Sequence, residues 1–114
     1  MGEAVYKRIM LKLSGEALAG SKHTGLDFDV IGRVCDVIKE AVEMGVQVGV
    51  VIGGGNFWRG VKDGADKMQR SHADSMGMLA TVMNAIAVAD VLEQHGMDAR
   101  VLTAVEMHKY AEYF

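Results

Sequence analysis

Apolar residues along the first half of the chain follow two spacings, that of strands and that of helices. Residues 6–13 and 46–52 are short, largely apolar runs that predict strands. The second run carries no charge and is rich in valine, which is typical of a strand covered on both faces in a parallel sheet. Between the two runs, apolar residues at helical spacing predict a helix that Asp27 caps and Gly45 ends.

The second half of the chain is dominated by a long apolar segment. Residues 71–94 predict a helix in which Asp90 is the only ionisable residue between Asp74 and Glu93. A helix without a polar face must be covered on more than one side, so we expect part of the cover to come from another subunit. We interpret its methionines as packing residues in preference to a cofactor pocket.

Strands and helices alternate along the whole chain. Residues 99–103 predict a third strand, a short helix is expected to begin near Glu106, and the charged residues 61–70 suggest a flexible flap. This order is typical of an α/β fold in which right-handed crossovers join parallel strands. With 114 residues, 50% of them hydrophobic, residues 1–114 are expected to form a single domain or part of one.

A glycine-rich turn follows the second predicted strand. Gly53, Gly54 and Gly55 can expose backbone N–H groups with no side chain in the way, and Arg59 adds a permanently charged guanidinium group. The spacing is neither that of a P-loop nor that of a dinucleotide-binding fold. Such a turn can bind phosphate, or it can simply connect a strand to the next element, and the residues leave both interpretations open.

The first predicted strand also ends in residues that suit an anion, namely Lys12, Ser14 and Gly15. Ligands gather outside the carboxyl ends of parallel strands, so these residues could share one site with the glycine turn. The alternative is a surface lysine beside an ordinary turn. Asp74 is similarly ambiguous, because a carboxylate near a helix start can cap the helix or accept hydrogen bonds from a sugar.

Charge and the remaining polar residues exclude several functions. A net charge of −3 argues against a general nucleic-acid binder. The single cysteine, Cys35, predicts a buried thiol in a reducing cytosol. We expect no membrane span and no secretion signal. His72 and His108 lack ligand partners at a useful spacing, so we expect no metal site built from protein side chains alone.

Three segments match a known family in order and spacing: YKRIMLKLSGEAL at 6–18, GVVIGGGNFWRG at 49–60 and DSMGMLATVMN at 74–84. They closely resemble the amino-terminal half of the bacterial uridylate (UMP) kinases, which are members of the amino-acid kinase superfamily. The resemblance implies an α/β/α sandwich with a parallel sheet, of which this chain is only the amino-terminal half. UMP kinases are about twice this length.

The resemblance further implies transfer of the γ-phosphoryl group of Mg-ATP to UMP, giving UDP, in pyrimidine nucleotide biosynthesis. It implies a cytoplasmic homohexamer built from dimers in which the long helix packs, with Mg²⁺ bound together with ATP. Matched by position, Lys12 and Arg59 are catalytic, and Gly54 and Asp74 bind UMP. The residues matched to ATP contacts are Lys12, Ser14, Gly15, Gly55 and Arg59.

A loop matches a segment that members of this family link to activation by GTP, with UTP as a further candidate effector. Its residues are Gly20, Ser21, Lys22, His23, Thr24 and Gly25. Two other functions stay open: a non-catalytic nucleotide-binding fragment or regulatory module of the same fold, and a related kinase acting on a carboxylate or carbamate. The adenine pocket and the acidic catalytic residues of the family are expected to lie beyond residue 114.

Overall fold

The computed structural model describes residues 5–59, 67–107 and 109–113. In chain order the elements are β1 (Arg8–Leu13), α1 (Gly15–Ala19), a 3₁₀ turn (Gly20–Lys22), α2 (Phe28–Glu43), β2 (Gln47–Ile52), α3 (Arg70–Gln94), β3 (Leu102–Thr103) and β4 (Glu112–Tyr113). Two predictions made from the sequence lie wholly or partly outside the described residues: the flap at 61–70, of which 61–66 are not described, and the role of His108.

The first two strands form a parallel pair, as the sequence predicted. Arg8 lies opposite Gln47 at one end of the ladder and Leu13 lies opposite Ile52 at the other. The long connection needed between parallel strands is supplied by α2. Because the two strands run in register, their carboxyl ends, and the turns that follow them, lie side by side.

The ends of α2 are defined by the two residues expected to define them. The carboxylate of Asp27 accepts hydrogen bonds from the backbone N–H groups of Asp29 and Val30, at 3.0 and 3.4 Å. These bonds satisfy two of the N–H groups that the first turn of a helix leaves unpaired. After the helix, Gly45 adopts a φ of 89°, a left-handed conformation that stops the helix at little cost only for glycine.

The core lies between α2, α3 and one face of the β1–β2 pair. Its buried members come from three helices: Leu18, Ile31, Cys35, Val88 and Val91. Leu13 and Ile52, the last residues of the two strands, pack against this cluster. The core therefore lies directly beneath the two turns at the ends of the strands.

The other face of the β1–β2 pair is open. Met10 and Val51 are 70% and 51% exposed, respectively. The prediction that the second strand is covered on both faces is therefore wrong for the described residues. Valine-rich composition indicates a strand, but the described helices pack on a single side of it.

The end of the chain departs from the predicted pattern. The third strand is only two residues long and pairs in parallel with β4, and no pairing with β1 or β2 is found in the described part of the chain. Where a short helix was expected near Glu106, the structure has a turn in which Tyr110 N–H donates to the Met107 carbonyl at 2.9 Å, followed by β4. Local apolar patterning does not specify such short pairings, which depend on contacts between segments.

The long helix α3 is less covered than its composition requires. Its exposed apolar side chains, each 38–53% exposed, are Met76, Met78, Leu79, Met83 and Ile86. Among the described residues, α3 is the helix whose length and composition would allow it to cross a membrane, with a mean hydropathy of 1.6 over its most apolar window. A third of that window (33%) is buried within the chain, and the core helix of a folded domain can have the same composition.

Candidate functional site

The turns that follow β1 and β2 interlock backbone against backbone. The N–H of Gly53 donates to the carbonyl of Leu13 at 2.9 Å, which continues the strand pairing into the turns. A β-carbon placed on Gly15 would lie 2.5 Å from the nitrogen of Gly55, closer than such atoms approach in proteins. The two turns are therefore in direct contact, and a ligand site shared by Lys12, Ser14 and Gly15 with the glycine turn stays a prediction.

A cleft of about 390 Å³ opens where the two turns meet. Its lining includes five of the residues matched to ATP contacts or catalysis, together with apolar residues of both strands. The lining residues are Lys12, Leu13, Ser14, Gly15, Glu16, Val51, Ile52, Gly53, Gly55, Trp58 and Arg59. The carboxyl ends of two parallel strands thus bring two cationic side chains, a hydroxyl group and glycine backbone to one place.

Ser14 caps a helix and still has a hydroxyl hydrogen to donate. It is the N-cap of α1, and its Oγ accepts a hydrogen bond from the N–H of Ala17 at 3.2 Å. A hydroxyl group that accepts one bond keeps its hydrogen for donation. Ser14 can therefore hold the start of α1 and donate to an anion in the cleft at the same time. The sequence indicated a turn here, and the structure has one short helical turn.

Glu16, which the sequence analysis did not single out, forms an ion pair with Arg59 inside the cleft. Both side chains are about half exposed, at 44% and 50%. A β-carbon on Gly55 would lie 2.5 Å from a carboxylate oxygen of Glu16, so this carboxylate also covers the glycine turn. Glu16 places a negative charge on the groups that a phosphate would contact. The contact joins residues far apart in sequence, which no local pattern indicates.

Gly54, matched to a UMP contact, packs against α3. A β-carbon on it would lie 2.8 Å from Cβ of Ala80 and 3.0 Å from the carbonyl oxygen of Gly77. The absence of a side chain at this position therefore lets the turn approach the helix closely. Of the three described turn glycines, Gly54 is the one outside the lining of the cleft, and its role toward UMP remains a prediction.

Trp58 connects the cleft to the beginning of α3. Its indole Nε1–H donates to the carbonyl of Ala73 at 2.8 Å, while the same residue lines the cleft. The neighbouring Asp74 accepts a hydrogen bond from Nε of Arg70 at 3.0 Å and is 61% exposed. The helix begins at Arg70 with Gln69 as N-cap and no side-chain cap, so Asp74 does not cap it. Asp74 is not among the described residues that line the cleft.

The loop of residues 20–25 contacts Asn56, the residue that directly follows the three turn glycines. Residues 20–22 form the 3₁₀ turn, and His23 follows in the left-handed conformation with a φ of 65°. The N–H of Gly25 and the hydroxyl of Thr24 both donate to the carbonyl of Asn56, at 3.0 and 3.1 Å. The loop matched to an effector segment is thus bonded to the residue that directly follows the three glycines.

The described residues that line the cleft offer few ligands for a metal ion. Within the described ranges, no three His, Cys, Asp or Glu side chains lie close enough together to hold a metal ion. Glu16 is the carboxylate among the cleft-lining residues, and it is paired with Arg59. Mg²⁺ prefers several oxygen ligands and keeps water, so these residues alone do not fit it.

Comparison with known proteins extends the assignment beyond the local geometry. The model of the amino acid kinase family matches residues 7–113. The structure of a UMP kinase from Bacillus anthracis is similar with a TM-score of 0.88 and 33% identity, covering 96% of this chain and 45% of that chain. The UMP kinase from Ureaplasma parvum gives 0.86 and 32%, covering 96% and 46%.

These similarities confirm the predicted fold class. The chain has the parallel-strand α/β architecture of the amino acid kinases, and it spans less than half the length of the UMP kinases that it matches. That coverage agrees with the predicted correspondence to one half of the fold. Because the family match extends over residues 7–113, from the start of the first strand to the end of the last, the chain belongs to the amino acid kinase family.

Proposed function

We propose that this chain is the phosphate-binding part of a phosphotransferase that transfers the γ-phosphoryl group of Mg-ATP to UMP, giving UDP. The observation that carries the proposal is the interlocking of two strand-end turns, which gathers Lys12, Ser14 and Arg59 around one cleft. The similarity to two UMP kinases over 96% of the chain supports UMP as the acceptor. In this role the chain would act in pyrimidine nucleotide biosynthesis in the cytoplasm.

Phosphoryl transfer requires a protein mainly to position two nucleotides and to neutralise negative charge. Lys12 would act as a point charge on the phosphoryl group during its transfer. Arg59 would bind ATP phosphate oxygens with its planar, permanently charged fork. The Ser14 hydroxyl and the N–H groups of Gly15 and Gly55 would add neutral donors, which stabilise the transferring group when they are fixed in advance.

Gly54 and Asp74 are the residues that we propose for UMP. The Asp74 carboxylate would accept hydrogen bonds from the ribose hydroxyls. Its present pair with Arg70 is exposed, and exposed ion pairs contribute little, so replacing that pair by a ribose would cost little. Trp58 connects the cleft to the first turn of α3 through its bond to Ala73, the residue before Asp74.

Mg²⁺ would bind together with ATP, because this ion commonly takes phosphate oxygens and water as ligands. The loop formed by residues 20–25 remains the candidate segment for effector binding by GTP or UTP. The exposed apolar side chains of α3 support assembly into a homo-oligomer, which the resemblance implies to be a hexamer.

The alternative that we propose is a nucleotide-binding fragment or regulatory module of the same fold, without turnover of its own. This alternative uses the same cleft and the same phosphate contacts. It differs from the first only in whether UDP is formed.

One experiment separates these functions. The single tryptophan of the chain, Trp58, lines the cleft, so its fluorescence can follow the binding of ATP and UMP while UDP is measured in the same mixture. UDP formation that Lys12→Ala abolishes would support the enzyme, and binding without UDP would support the module. If neither nucleotide binds to the folded chain, the proposal is wrong.

A further inference from the structure

Two buried asparagines form a reciprocal amide bridge between the glycine turn and the long helix. Nδ2 of Asn56 donates to Oδ1 of Asn84 at 3.0 Å, and Nδ2 of Asn84 donates to Oδ1 of Asn56 at 2.7 Å. The two residues are only 2% and 0% exposed. Neither side chain is required by the cleft chemistry described above, so their burial needs another explanation.

The bridge leaves no side-chain donor unused. Nδ2 of Asn84 also donates to the carbonyl of Gly53 at 2.7 Å, and Nδ2 of Asn56 also donates to the carbonyl of Gly25 at 2.8 Å. Each amide nitrogen has two hydrogens, and each makes two hydrogen bonds. In the described part of the chain, no buried side-chain nitrogen or oxygen lacks a partner. A fully satisfied buried network favours one geometry over all others.

This geometry fixes both ends of the glycine turn. Asn84 holds the carbonyl at its beginning, that of Gly53, and Asn56 is the residue at its end. Three glycines in sequence have wide backbone freedom, so a phosphate-binding turn made from them would otherwise lose much entropy on binding. The amide bridge removes that freedom before any ligand arrives, which is a form of preorganisation.

Asn56 also connects the turn to the neighbouring loop. Its carbonyl accepts from the N–H of Gly25 at 3.0 Å and from the hydroxyl of Thr24 at 3.1 Å, while its side chain donates back to the carbonyl of Gly25. The described hydrogen bonds of Asn84 reach Gly53 and Asn56, and those of Asn56 reach Gly25, so the hydrogen-bonded route from Asn84 to Gly25 runs through Asn56.

We propose that Asn84 and Asn56 are positioning residues: through the amide bridge Asn84 holds the glycine turn in its phosphate-binding shape, and through Asn56 it fixes the segment Thr24–Gly25 to the same turn. The consequence for ligand affinity rests on the proposed function. The mechanical coupling of the two segments does not, and it can be measured without a ligand.

The test uses Asn84→Asp, which has nearly the same shape but places carboxylate oxygen where Nδ2 donates to two carbonyl-type oxygens. Asn84→Ser serves as a second variant if the buried charge prevents folding. Val82→Ala is the matched control, because Val82 is a buried residue of the same helix, 7% exposed, and takes no part in the bridge.

The first readout is hydrogen exchange at the amide of Gly25 in the folded, ligand-free chain. We expect about tenfold faster exchange in the Asn84 variants, beyond any change in global stability, and no such excess in Val82→Ala. The coupling is refuted if Gly25 exchange in the Asn84 variants rises no more than in the control.

The second readout is binding of ATP, followed through Trp58 fluorescence. We expect about tenfold weaker binding by the Asn84 variants and near-normal binding by Val82→Ala. Unchanged affinity in the Asn84 variants would refute the positioning role. If the unsubstituted chain itself binds no ATP, the proposed function and this positioning role for binding both fail, while the exchange experiment still decides whether the two segments are coupled.

Discussion

The α-carbon of Gly15 faces the backbone nitrogen of Gly55 so closely that a β-carbon on Gly15 would lie only 2.5 Å from it. The same β-carbon would lie 2.6 Å from Oδ1 of Asn56, which belongs to the buried amide bridge. Backbone and a buried amide cannot move aside as an exposed side chain can. The contact between the two turns therefore depends on glycine at position 15.

We predict that Gly15→Ala destabilises the fold by about 1–3 kcal/mol, because the added methyl group must push the two turns apart. The control is Gly32→Ala in α2, where a β-carbon meets nothing within 4 Å. That substitution should stabilise the chain by about 0.5–1 kcal/mol, since glycine is a poor residue inside a helix. Urea unfolding measures both, and equal effects of the two substitutions would contradict the close contact.

Arg59→Ala should weaken ATP binding by about 1–3 kcal/mol, because charge-assisted bonds to phosphate are lost. Arg100→Ala is the matched control: Arg100 also pairs with a carboxylate, that of Glu112, but lies outside the cleft lining. Calorimetric titration with ATP compares the variants. Equal affinities would mean that Arg59 makes no contribution to ATP binding.

Glu16→Gln should strengthen ATP binding several-fold, in the opposite direction to Arg59→Ala. The Glu16 carboxylate lies over Gly55 and pairs with Arg59, so it opposes the approach of a phosphate to both. An amide keeps the size of the side chain and removes the charge. The same titration tests this, and weaker binding by Glu16→Gln would mean that the carboxylate supports the site by holding Arg59 in place.

Asp74→Asn should weaken UMP binding while leaving the unfolding free energy and ATP affinity nearly unchanged. The carboxylate is 61% exposed and does not cap α3, so its loss removes little from the fold. A ribose hydroxyl donates more strongly to a carboxylate than to an amide oxygen. If Asp74→Asn binds UMP as well as the unsubstituted chain does, Asp74 has no part in the acceptor site.

Cys35 provides a test of the core itself. Burial, and to a smaller extent the neighbouring Asp36, raises the pKa of the Cys35 thiol from 9.0 to about 11. Because the thiolate is the reactive form, the folded chain should resist aromatic disulfide reagents at pH 8 and react only after unfolding. Rapid reaction of the single thiol in the folded chain would mean that α2 and α3 do not pack as described.

The same raised pKa gives stability a pH dependence of definite sign. The folded state keeps the Cys35 proton to higher pH than the unfolded state does, so its contribution is present below about 9.0 and is lost as the pH rises toward 11. Cys35→Ala should remove this part of the alkaline loss. The comparison of urea unfolding at pH 8 and pH 10.5 checks it, and parallel losses in both proteins would contradict it.

Local sequence patterns correctly predicted the elements whose ends depend on residues close to them in the sequence. Asp27 and Gly45 act within a few residues of α2, so their effects can be seen in the sequence. The two-residue β3 depends on its pairing with β4, and no short apolar run encodes that pairing. For the same reason, the strand predicted at residues 99–103 is longer than the observed β3, which is Leu102–Thr103. The observed strand pairs with β4.

The candidate site was predictable in part. Lys12 and the glycine turn could be placed together because parallel strands end at one edge of a sheet, and the structure puts them in one cleft. Two contacts of the site join segments that are distant in the sequence: the ion pair of Glu16 with Arg59 and the bridge between Asn56 and Asn84. The spacing of apolar residues does not predict such contacts. For Asn84, the available indication in the sequence was its polar side chain within an apolar helix.

The most direct test of the central claim, that these residues assemble a nucleotide site at the ends of β1 and β2, is a calorimetric titration of the chain with UMP in the presence of Mg²⁺. CMP and AMP serve as controls for the base, and circular dichroism confirms that the chain is folded. We predict saturable binding of UMP in preference to both controls. A folded chain that binds none of the three would contradict the claim, and equal binding of all three would contradict UMP as the acceptor.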